Sequence, residues 1–181
     1  SIMGEGSGAA DIFANTGGVM EAALRTVYEI VTGQELPMEN LHVEPSAGLE
    51  GVKEASGVIE DTVPDWSFLK GVKVNVAVAH GLANARKVMD RVKAGEAEYH
   101  FVEVMTCPGG CIGGGGQPRV TDNEVRKARI SAIYCEDEGK QIRKSHENEE
   151  VKRIYADYFG QPYSDKSHHL LHTKYTKRGR V

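Results

Sequence analysis

The sequence lacks the features that would tie the chain to a membrane or to secretion. No apolar run approaches the roughly 20 residues that a membrane-spanning helix requires. The first residues, SIMGEGSGAADIF, contain neither the basic nor the apolar segment of a signal peptide. They also lack an initiator methionine at position 1, so we expect a processed chain or a fragment. These absences predict no membrane partner.

Cysteine and net charge are also scarce. Three cysteines, an odd number, make a poor disulfide framework, which favours a reducing compartment such as the cytoplasm. The 22 Lys and Arg residues against 26 Asp and Glu residues give a formal net charge of −4. This mild acidity argues against nucleic acid as a partner.

The clearest pattern lies between residues 71 and 105. Valines alternate along GVKVNVAVAHG as in a strand, and the pattern ends at Gly81. A helical pattern follows in LANARKVMDRVKAG, and EYHFVEVM then alternates again. This order predicts a βαβ unit whose strands, 72–79 and 98–105, are parallel neighbours with a right-handed crossover. We expect an α/β fold with a central parallel or mixed sheet and flanking helices.

Three further helices are predicted around this unit. The first, TGGVMEAALRTVYEIVTG, ends at Gly33, the second runs from about Asp122 to Gly139, and the third spans NEEVKRIYADYFG. Glu21 and Glu29 fall on the outer side of the first helix and are interpreted as surface charges. The side chains expected to point inward from the first and third helices are Val19, Ala23, Val27, Ile30, Val31, Val151, Ile154, Tyr155 and Tyr158.

The remaining segments have weaker patterns. Residues 34–56 are expected to be irregular, apart from a candidate strand in LHVEP, and SGVIEDTV is a second candidate strand. Trp66 and Phe68 are expected in the core or at an interface between lobes. The segment QPYSDKSHHLLHTKYTKRGRV predicts an extended or irregular C-terminal tail.

Two cysteines stand in the glycine-rich stretch MTCPGGCIGGGGQP, residues 105–118, directly after the βαβ unit. Ligands of open α/β sheets bind beyond the carboxyl ends of the strands, and thiolates are ligands for soft metals. Pro108 fixes one φ angle, while the glycines permit both sulfurs to turn to one side and expose peptide N–H groups. The stretch therefore favours a metal or iron–sulfur site.

Several alternatives to a cluster site exist. The cysteine pair could form a local disulfide, although the composition disfavours one. A structural zinc site needs four ligands and no second pair exists, and the lysine and Ser/Thr of a phosphate-binding loop are missing. Cys135 lies on a mostly apolar helix face and is interpreted as a core residue rather than a third ligand. Because a cubane cluster normally takes four protein ligands, the residues predict half a cluster site.

Histidines are further candidate ligands. His168, His169 and His172 have a spacing that a metal could use from a helix, but their polar surroundings predict solvated or capping side chains. His80 ends a predicted strand and is interpreted as a histidine satisfied by its neighbours.

The cysteine stretch carries a resemblance to a known family. EVMTCPGGCIGGGGQP is very similar to the third signature of the iron-only (FeFe) hydrogenases, and SGAADIFANTGGVMEAALRT resembles the stretch that precedes it. SHENEEVKRIYADYFGQPYSDKSHHLLHTKYT resembles the C-terminal segment, which some members carry as a separate small subunit. The resemblance implies one lobe of the hydrogenase catalytic domain over residues 1–144 and a small-subunit-like segment over residues 145–181.

The resemblance also implies a cofactor and its ligands. The H-cluster of the family is a 4Fe–4S cubane joined through one cysteine sulfur to a two-iron subsite that carries CO, cyanide and a bridging dithiolate. By position, Cys107 would be a cubane ligand and Cys111 the bridging cysteine. Phe13, Thr16 and Met105 would form the wall around the two-iron subsite. The residues that would contribute backbone or side chains to cofactor binding are Gly17, Gly18, Gly109, Gly110 and Gln117.

The sequence also departs from the family. The first two signatures, TSC-x-PGW-like and PC-x-x-K-like, occur nowhere in the chain. In the family they supply the other two cubane cysteines, a proton-relay cysteine and a lysine that holds a cyanide. Ala14 stands where many members have glycine, and Thr106 where many have alanine. We therefore expect that the chain alone holds no complete H-cluster.

Two functions follow as hypotheses. The first is a fragment of an FeFe-hydrogenase that catalyses reversible H2 oxidation and proton reduction, and the second is an inactive half-domain that acts as an interaction or scaffold module. The implied partners are the N-terminal lobe of the same domain, ferredoxin or another electron-transfer subunit, and H2 or protons. The implied compartment is the cytoplasm, with the periplasm for some members. Without its partner lobe, the chain should expose an apolar patch containing Phe13, Met105 and Ile112.

Overall fold

The computed structural model describes residues 4–36, 51–119 and 121–179. The chain divides into two compact units. The larger unit comprises residues 6–145, and the smaller one joins the N-terminal residues up to Glu5 with the segment that begins at His146.

The described part of the larger unit contains a small mixed sheet and four helices. Its helices are α1 (Gly8–Asp11), α2 (Gly18–Thr32), α3 (Leu82–Lys93) and α4 (Asn123–Gly139), and its strands are β1 (Val52–Val58), β2 (Lys73–His80) and β3 (Phe101–Met105). Short 3-10 turns occur at Ile12–Ala14, Pro64–Leu69 and Cys111–Gly113, and a further one spans Ser145–Glu147.

The sheet has the strand order β1-β2-β3. β2 and β3 are parallel, with Val76 paired to Phe101 and His80 paired to Met105, whereas β1 runs antiparallel to β2. The predicted βαβ unit with its adjacent parallel strands is confirmed. Parallel strands require a long crossover, and α3 provides it.

The middle strand of the sheet is covered on both faces, where β2 places apolar residues on each side. Alternate residues of a strand point to opposite faces, so odd and even positions of β2 meet different helices. Val76 packs with Met20 of α2 on one face, and Ala77 and Ala79 pack with Val88 of α3 on the other. The core of the sheet is therefore the middle strand, enclosed between α2 and α3.

A separate apolar cluster joins α1, the following 3-10 turn and α2 to α4. Its buried members are Ala9 of α1, Ile12 of the 3-10 turn and Ala22 of α2. Ile133 and Tyr134 of α4 pack against them. This cluster places α4 beside the segment that leads into α2.

Three expectations about single residues change in the structure. Val27 is 53% exposed and Ile30 is also exposed, so the inward face of α2 is narrower than the sequence predicted. Cys135 is exposed on α4, so its interpretation as a core residue is wrong. Trp66 and Phe68 lie at the surface, and Phe68 is 70% exposed. The expectation that they belong to the core is therefore wrong. Their place at an interface between lobes stays a prediction.

The first strand begins earlier than expected. β1 starts at Val52, inside the segment expected to be irregular, and it ends at Val58, in the middle of the candidate strand SGVIEDTV. Its pairing with β2 sets these bounds, because Val52 lies opposite Ala79 and Val58 opposite Lys73. The candidate strand in LHVEP lies outside the described residues.

A buried ionic network holds α2 against α4. Arg25 donates from Nη1 and Nη2 to the two carboxylate oxygens of Asp137, at 2.7 and 2.8 Å, and from Nη2 to Glu21 at 2.6 Å. Arg143 donates to Asp137, and the Tyr134 hydroxyl donates to Glu21, each at 2.6 Å. Asp137 and Glu21 are both buried, so the interpretation of Glu21 as a surface charge is wrong. A buried charge of this kind must be paired.

Proton affinities in this network follow from the pairing. Burial would raise the pKa of Asp137, but hydrogen bonds from Arg25 and Arg143 hold it below its ordinary value. Burial likewise opposes charge on Arg25, yet hydrogen bonding to Asp137 and the charge of Glu21 raise its pKa. Both Arg25 and Asp137 therefore stay ionised.

The smaller unit is mostly helical. It contains α5 (Glu149–Ile154), a π-helical turn (Tyr155–Phe159) and α6 (Asp165–Leu171). The helix α6 corrects the expectation of an irregular tail, and it begins where the Ser164 side chain accepts from the Ser167 N–H. Three of the side chains expected to point inward from α5 and its π turn are exposed instead, namely Val151, Ile154 and Tyr158.

In the described parts of the chain, no helix is both long and apolar enough to cross a bilayer.

We expect Arg25→Met to lower the free energy of unfolding by about 3–5 kcal/mol, because it leaves two buried carboxylates without their shared cation. Lys127→Met is the matched control, since Lys127 makes an exposed ion pair with Glu124 at 3.0 Å. Its loss should cost no more than about 0.5 kcal/mol. Urea unfolding of both variants measures the difference. Equal unfolding midpoints would show that the network contributes little.

Candidate metal centre

The cysteine loop begins directly after β3. The Gly110 N–H donates to the Cys107 carbonyl oxygen at 3.0 Å, and the Gly114 N–H donates to the Cys111 carbonyl oxygen at 3.0 Å. These two bonds fold the loop into consecutive tight turns. Cys107 is half-buried, Cys111 is exposed, and both are free thiols. A pair of thiols therefore lies at the carboxyl edge of the parallel strands.

Gly110 brings the loop against its neighbours. It has a φ of +93°, and a Cβ at this position would lie 2.7 Å from the Thr16 nitrogen and 2.8 Å from Met105 Sδ. A side chain would therefore be strained and would displace both neighbours. Gly114 also packs closely, because a Cβ at this position would lie 3.2 Å from Cys107 Sγ. Bare backbone thus approaches that sulfur closely.

The turn before α2 packs against the cysteine loop. The Thr16 N–H donates to the Gly109 carbonyl oxygen at 3.0 Å, which joins this turn to the cysteine loop. Phe13, on the same turn, is 47% exposed. The Thr16 hydroxyl is buried and has no hydrogen-bond partner among the described residues. A Cβ on Gly18 would overlap the Ile12 carbonyl oxygen, so the turn requires glycine there.

A buried carboxylate on β3 holds the start of α2. Glu103 Oε1 accepts from the Gly17 N–H at 2.6 Å, and Oε2 accepts from the Met20 N–H at 2.7 Å. Burial raises the pKa of Glu103, while hydrogen bonds from the backbone of Gly17, Met20 and Val19 oppose that rise. Glu103 is 5% exposed. In the sequence Glu103 is the first residue of the stretch EVMTCPGGCIGGGGQP, but its side of the alternating strand is ambiguous and nothing local indicates which groups it binds.

The structure brings five of the ten expected site residues into contact with one another. Contacts join Met105, Gly109, Gly110, Thr16 and Cys107. Gln117 is exposed, and its backbone N–H donates to the Gly114 carbonyl oxygen at 3.4 Å, within its own loop. Gly115 and Gly116 have open space where a Cβ would lie. Ile112 is 4% exposed, so the expectation that it joins an exposed apolar patch is wrong.

Arg129 of α4 is a contributor that the sequence did not indicate. Its Nη1 donates to the Ile112 carbonyl oxygen at 2.7 Å and to the Thr121 hydroxyl at 3.3 Å. The side chain therefore holds the loop just after the second cysteine. No local pattern points to Arg129, because only the fold brings α4 to the cysteine loop.

The donor set fits one half of an iron–sulfur site. Two free thiols are soft ligands, and the backbone at Gly110 and Gly114 packs closely around the loop that bears them. Within residues 4–36, 51–119 and 121–179, no group of three or more His, Cys, Asp or Glu side chains is arranged to hold a metal ion. A cubane cluster takes four protein ligands, so the remaining ligands would have to come from elsewhere.

Four histidines are further candidate ligands in the sequence. His80 is buried at the end of β2, where its carbonyl oxygen accepts from the Asn84 side chain at 2.8 Å. His168 and His172 stack with their ring centroids 4.4 Å apart, and both are exposed, as is His169. The exposure of these three agrees with the expectation of solvated side chains.

Fold and site together define an α/β protein with a pair of free cysteines at the carboxyl edge of its parallel strands. The family described as iron only hydrogenase large subunit, C-terminal domain, matches residues 1–115, and the family described as iron hydrogenase small subunit matches residues 123–178. The chain therefore belongs to the iron-only hydrogenase family.

Individual relatives agree with this assignment. The chain is 47% identical over 180 residues to the NADP-reducing hydrogenase subunit HndD of Solidesulfovibrio fructosivorans, a match that covers 99% of this chain and 28% of that protein. It is 43% identical over 180 residues to iron hydrogenase 1 of Clostridium pasteurianum, covering 97% of this chain and 29% of that protein. The chain thus spans less than a third of either relative.

A solved structure has the same fold. A variant of the FeFe-hydrogenase from Chlamydomonas reinhardtii superposes with a TM-score of 0.73 and 42% sequence identity. The match covers 97% of this chain and 48% of that one.

We expect Gly110→Ala to destabilise the chain by about 2 kcal/mol, because a positive φ is costly for alanine and its Cβ would press on Thr16. Gly115→Ala is the matched control in the same loop, since a Cβ there meets nothing within 4 Å. Urea unfolding, with hydrogen exchange at the Thr16 amide, measures both effects. Indistinguishable behaviour of the two variants would contradict the close approach at Gly110.

Proposed function

We propose that this chain is the C-terminal lobe of an FeFe-hydrogenase catalytic domain and supplies two of the four cysteine ligands of the H-cluster. Residues 1–144 belong to the lobe, and residues 145–181 form the small-subunit-like segment. The matched family ranges and the similarity to hydrogenases over almost the whole chain support this proposal.

The observation that carries the proposal is the pair of free thiols on the loop after β3. Cys107 and Cys111 lie where glycine backbone approaches closely, and the turn that bears Phe13 is bonded to the same loop. An isolated cysteine pair on a solvent-exposed loop would need neither the positive φ of Gly110 nor the bond from Thr16. The packing therefore supports a built site for a large group.

In the proposed enzyme the two cysteines have different roles. Cys107 would be a ligand of the cubane, and Cys111 would be the ligand shared with the two-iron subsite. When bound, the H-cluster supplies the electron and proton chemistry of reversible H2 oxidation. The chain itself contributes a folded loop, because hydrogen bonds to the carbonyl oxygens of Cys107 and Cys111 restrict the backbone that carries both sulfurs.

The other site residues exclude water and shape the pocket. Phe13 and Met105 have apolar side chains. The Thr16 hydroxyl is buried and has no hydrogen-bond partner among the described residues. Gln117, which follows the run of glycines, would contribute to cofactor binding. The glycines keep this part of the wall free of side chains. These glycines are Gly17, Gly18, Gly109 and Gly110.

The proposal requires partners. The N-terminal lobe of the same domain provides the other two cysteines, and ferredoxin or another electron-transfer subunit exchanges electrons with the cluster. We place this reaction in the cytoplasm, on the basis of the low and odd number of cysteines.

A second candidate function is an inactive half-domain that acts as an interaction or scaffold module. The observation that favours it is the donor set, because the described residues offer only two thiols at the site. In that case the exposed Phe13 would serve a protein contact and the thiols would carry no cluster.

We expect the isolated 181-residue chain, purified without oxygen, to contain little iron, because two thiolates leave a cubane half-ligated. Supplying the N-terminal lobe together with the maturation machinery should produce stoichiometric iron and infrared bands of metal-bound CO and cyanide. Iron analysis and infrared spectroscopy compare the two preparations. Full iron and both sets of bands in the isolated chain would show that our ligand count is wrong.

We expect serine substitutions in the assembled enzyme to separate the two cysteines. Cys111→Ser should abolish H2 evolution and the CO and cyanide bands, because a hard oxygen donor replaces the bridging sulfur. Cys107→Ser should leave a low remainder of both, since a cubane with one oxygen ligand can persist. Paired activity and infrared measurements test this order.

Cys135→Ser is the matched control for these substitutions, because Cys135 is a free, exposed thiol on α4. It should leave activity and spectra unchanged. If Cys111→Ser keeps a normal two-iron spectrum while Cys107→Ser loses it, the two roles are reversed. If neither substitution affects iron content, the result favours the scaffold function over the hydrogenase function.

A further inference from the structure

Glu103 is a charged residue in the interior of the larger unit. On β3 it is buried, while Val102 is half-buried and Val104 is exposed. Burying a carboxylate is costly unless hydrogen bonds compensate for the lost water. Its two oxygens find that compensation in the backbone N–H groups at the start of α2.

The start of α2 has a glycine in its cap position. A helix leaves its first N–H groups without partners, and Ser, Thr, Asp or Asn usually satisfies one of them from the residue before the helix. Here that residue is Gly17, which has a φ of +89° and no side chain. Glu103, which is 86 residues away in sequence, accepts from Gly17 instead, and its other oxygen accepts from Met20. The negative charge also suits the positive end of the helix.

The same strand leads directly into the cysteine loop. Met105, two residues beyond Glu103, lies beside Gly110, and Cys107 follows after two more residues. The turn that Glu103 holds bears Thr16, whose N–H is bonded to Gly109. Glu103 therefore closes a ring of contacts between β3, the turn before α2 and the cysteine loop.

We propose that Glu103 is a positioning residue, which fixes the turn bearing Phe13 and Thr16 at a set distance from Cys107 and Cys111. The inference rests on the proposed function, because it assigns the turn to the wall of the cluster pocket. The carboxylate itself bonds to backbone groups, and it acts on the site through the turn.

The test compares Glu103→Gln with Val88→Ala in the 181-residue chain. Glutamine keeps the shape of glutamate but turns an NH2 group toward one of the backbone donors. Val88 packs on the face of the sheet that α3 covers, away from α2, so its truncation lowers overall stability without touching the turn. Amide hydrogen exchange followed by NMR reads each site separately.

We expect Glu103→Gln to accelerate exchange at Gly17, Met20 and Thr16 by about tenfold or more, beyond any change shared by the whole chain. Val88→Ala should accelerate exchange at these three amides only as much as elsewhere. Equal patterns of exchange in Glu103→Gln and Val88→Ala would overturn the proposal.

A milder substitution keeps the test decisive if Glu103→Gln does not fold. Glu103→Asp retains the charge but is one methylene shorter, so it should also accelerate exchange selectively at Gly17, Met20 and Thr16, to a smaller degree. A uniform change across the chain in this variant would count against the positioning role.

A second measurement uses the assembled enzyme. Glu103→Gln should shift or broaden the CO and cyanide infrared bands while iron content stays that of the unsubstituted protein. Unchanged bands would show that the turn does not act on the cluster. If the unsubstituted assembled protein shows no such bands, the proposed function fails, whereas the exchange measurement still decides whether Glu103 holds the turn.

Discussion

The structure of the larger unit depends on how α2 is held. Arg25 in its middle pairs with the fully buried Asp137 of α4, and Glu103 of β3 holds its first turn. Both links join elements far apart in sequence, and both bury charge that must remain compensated. With α2 held in this way, its apolar residue Met20 covers one face of the sheet and the turn before it reaches the cysteine loop. The candidate site is therefore a consequence of how one helix is anchored.

The site itself is built from backbone more than from side chains. Gly110 allows the loop to come within contact of Thr16 and Met105, and Gly114 approaches the sulfur of Cys107. Glycine at these positions lets backbone pack where a side chain would collide with its neighbours. The described part of the loop offers two free thiols, and the chain spans less than a third of the hydrogenase relatives that it matches.

The sequence was informative wherever a local pattern decided the structure. The alternating valines of β2, the helix between β2 and β3, and the start of α4 at Asp122 were all predictable, because each depends on residues within one turn or one strand. It was misleading where distant contacts decide. Glu21 has the spacing of a surface residue, yet Arg25 and Tyr134 enclose it. Val27 has the spacing of a core residue, yet it is largely exposed in this chain.

The sequence by itself determined the parallel βαβ unit, the position of the cysteine pair at its carboxyl edge and the resemblance to the iron-only hydrogenases. These depend on periodicity and on a short motif, which a linear chain displays directly. Only the tertiary structure decided that Glu103 caps a helix whose own cap position is a glycine, and that Asp137 is buried beside Arg25. The physical reason is that a buried charge is stabilised by partners brought close through folding, and their separation in sequence carries no trace of that proximity.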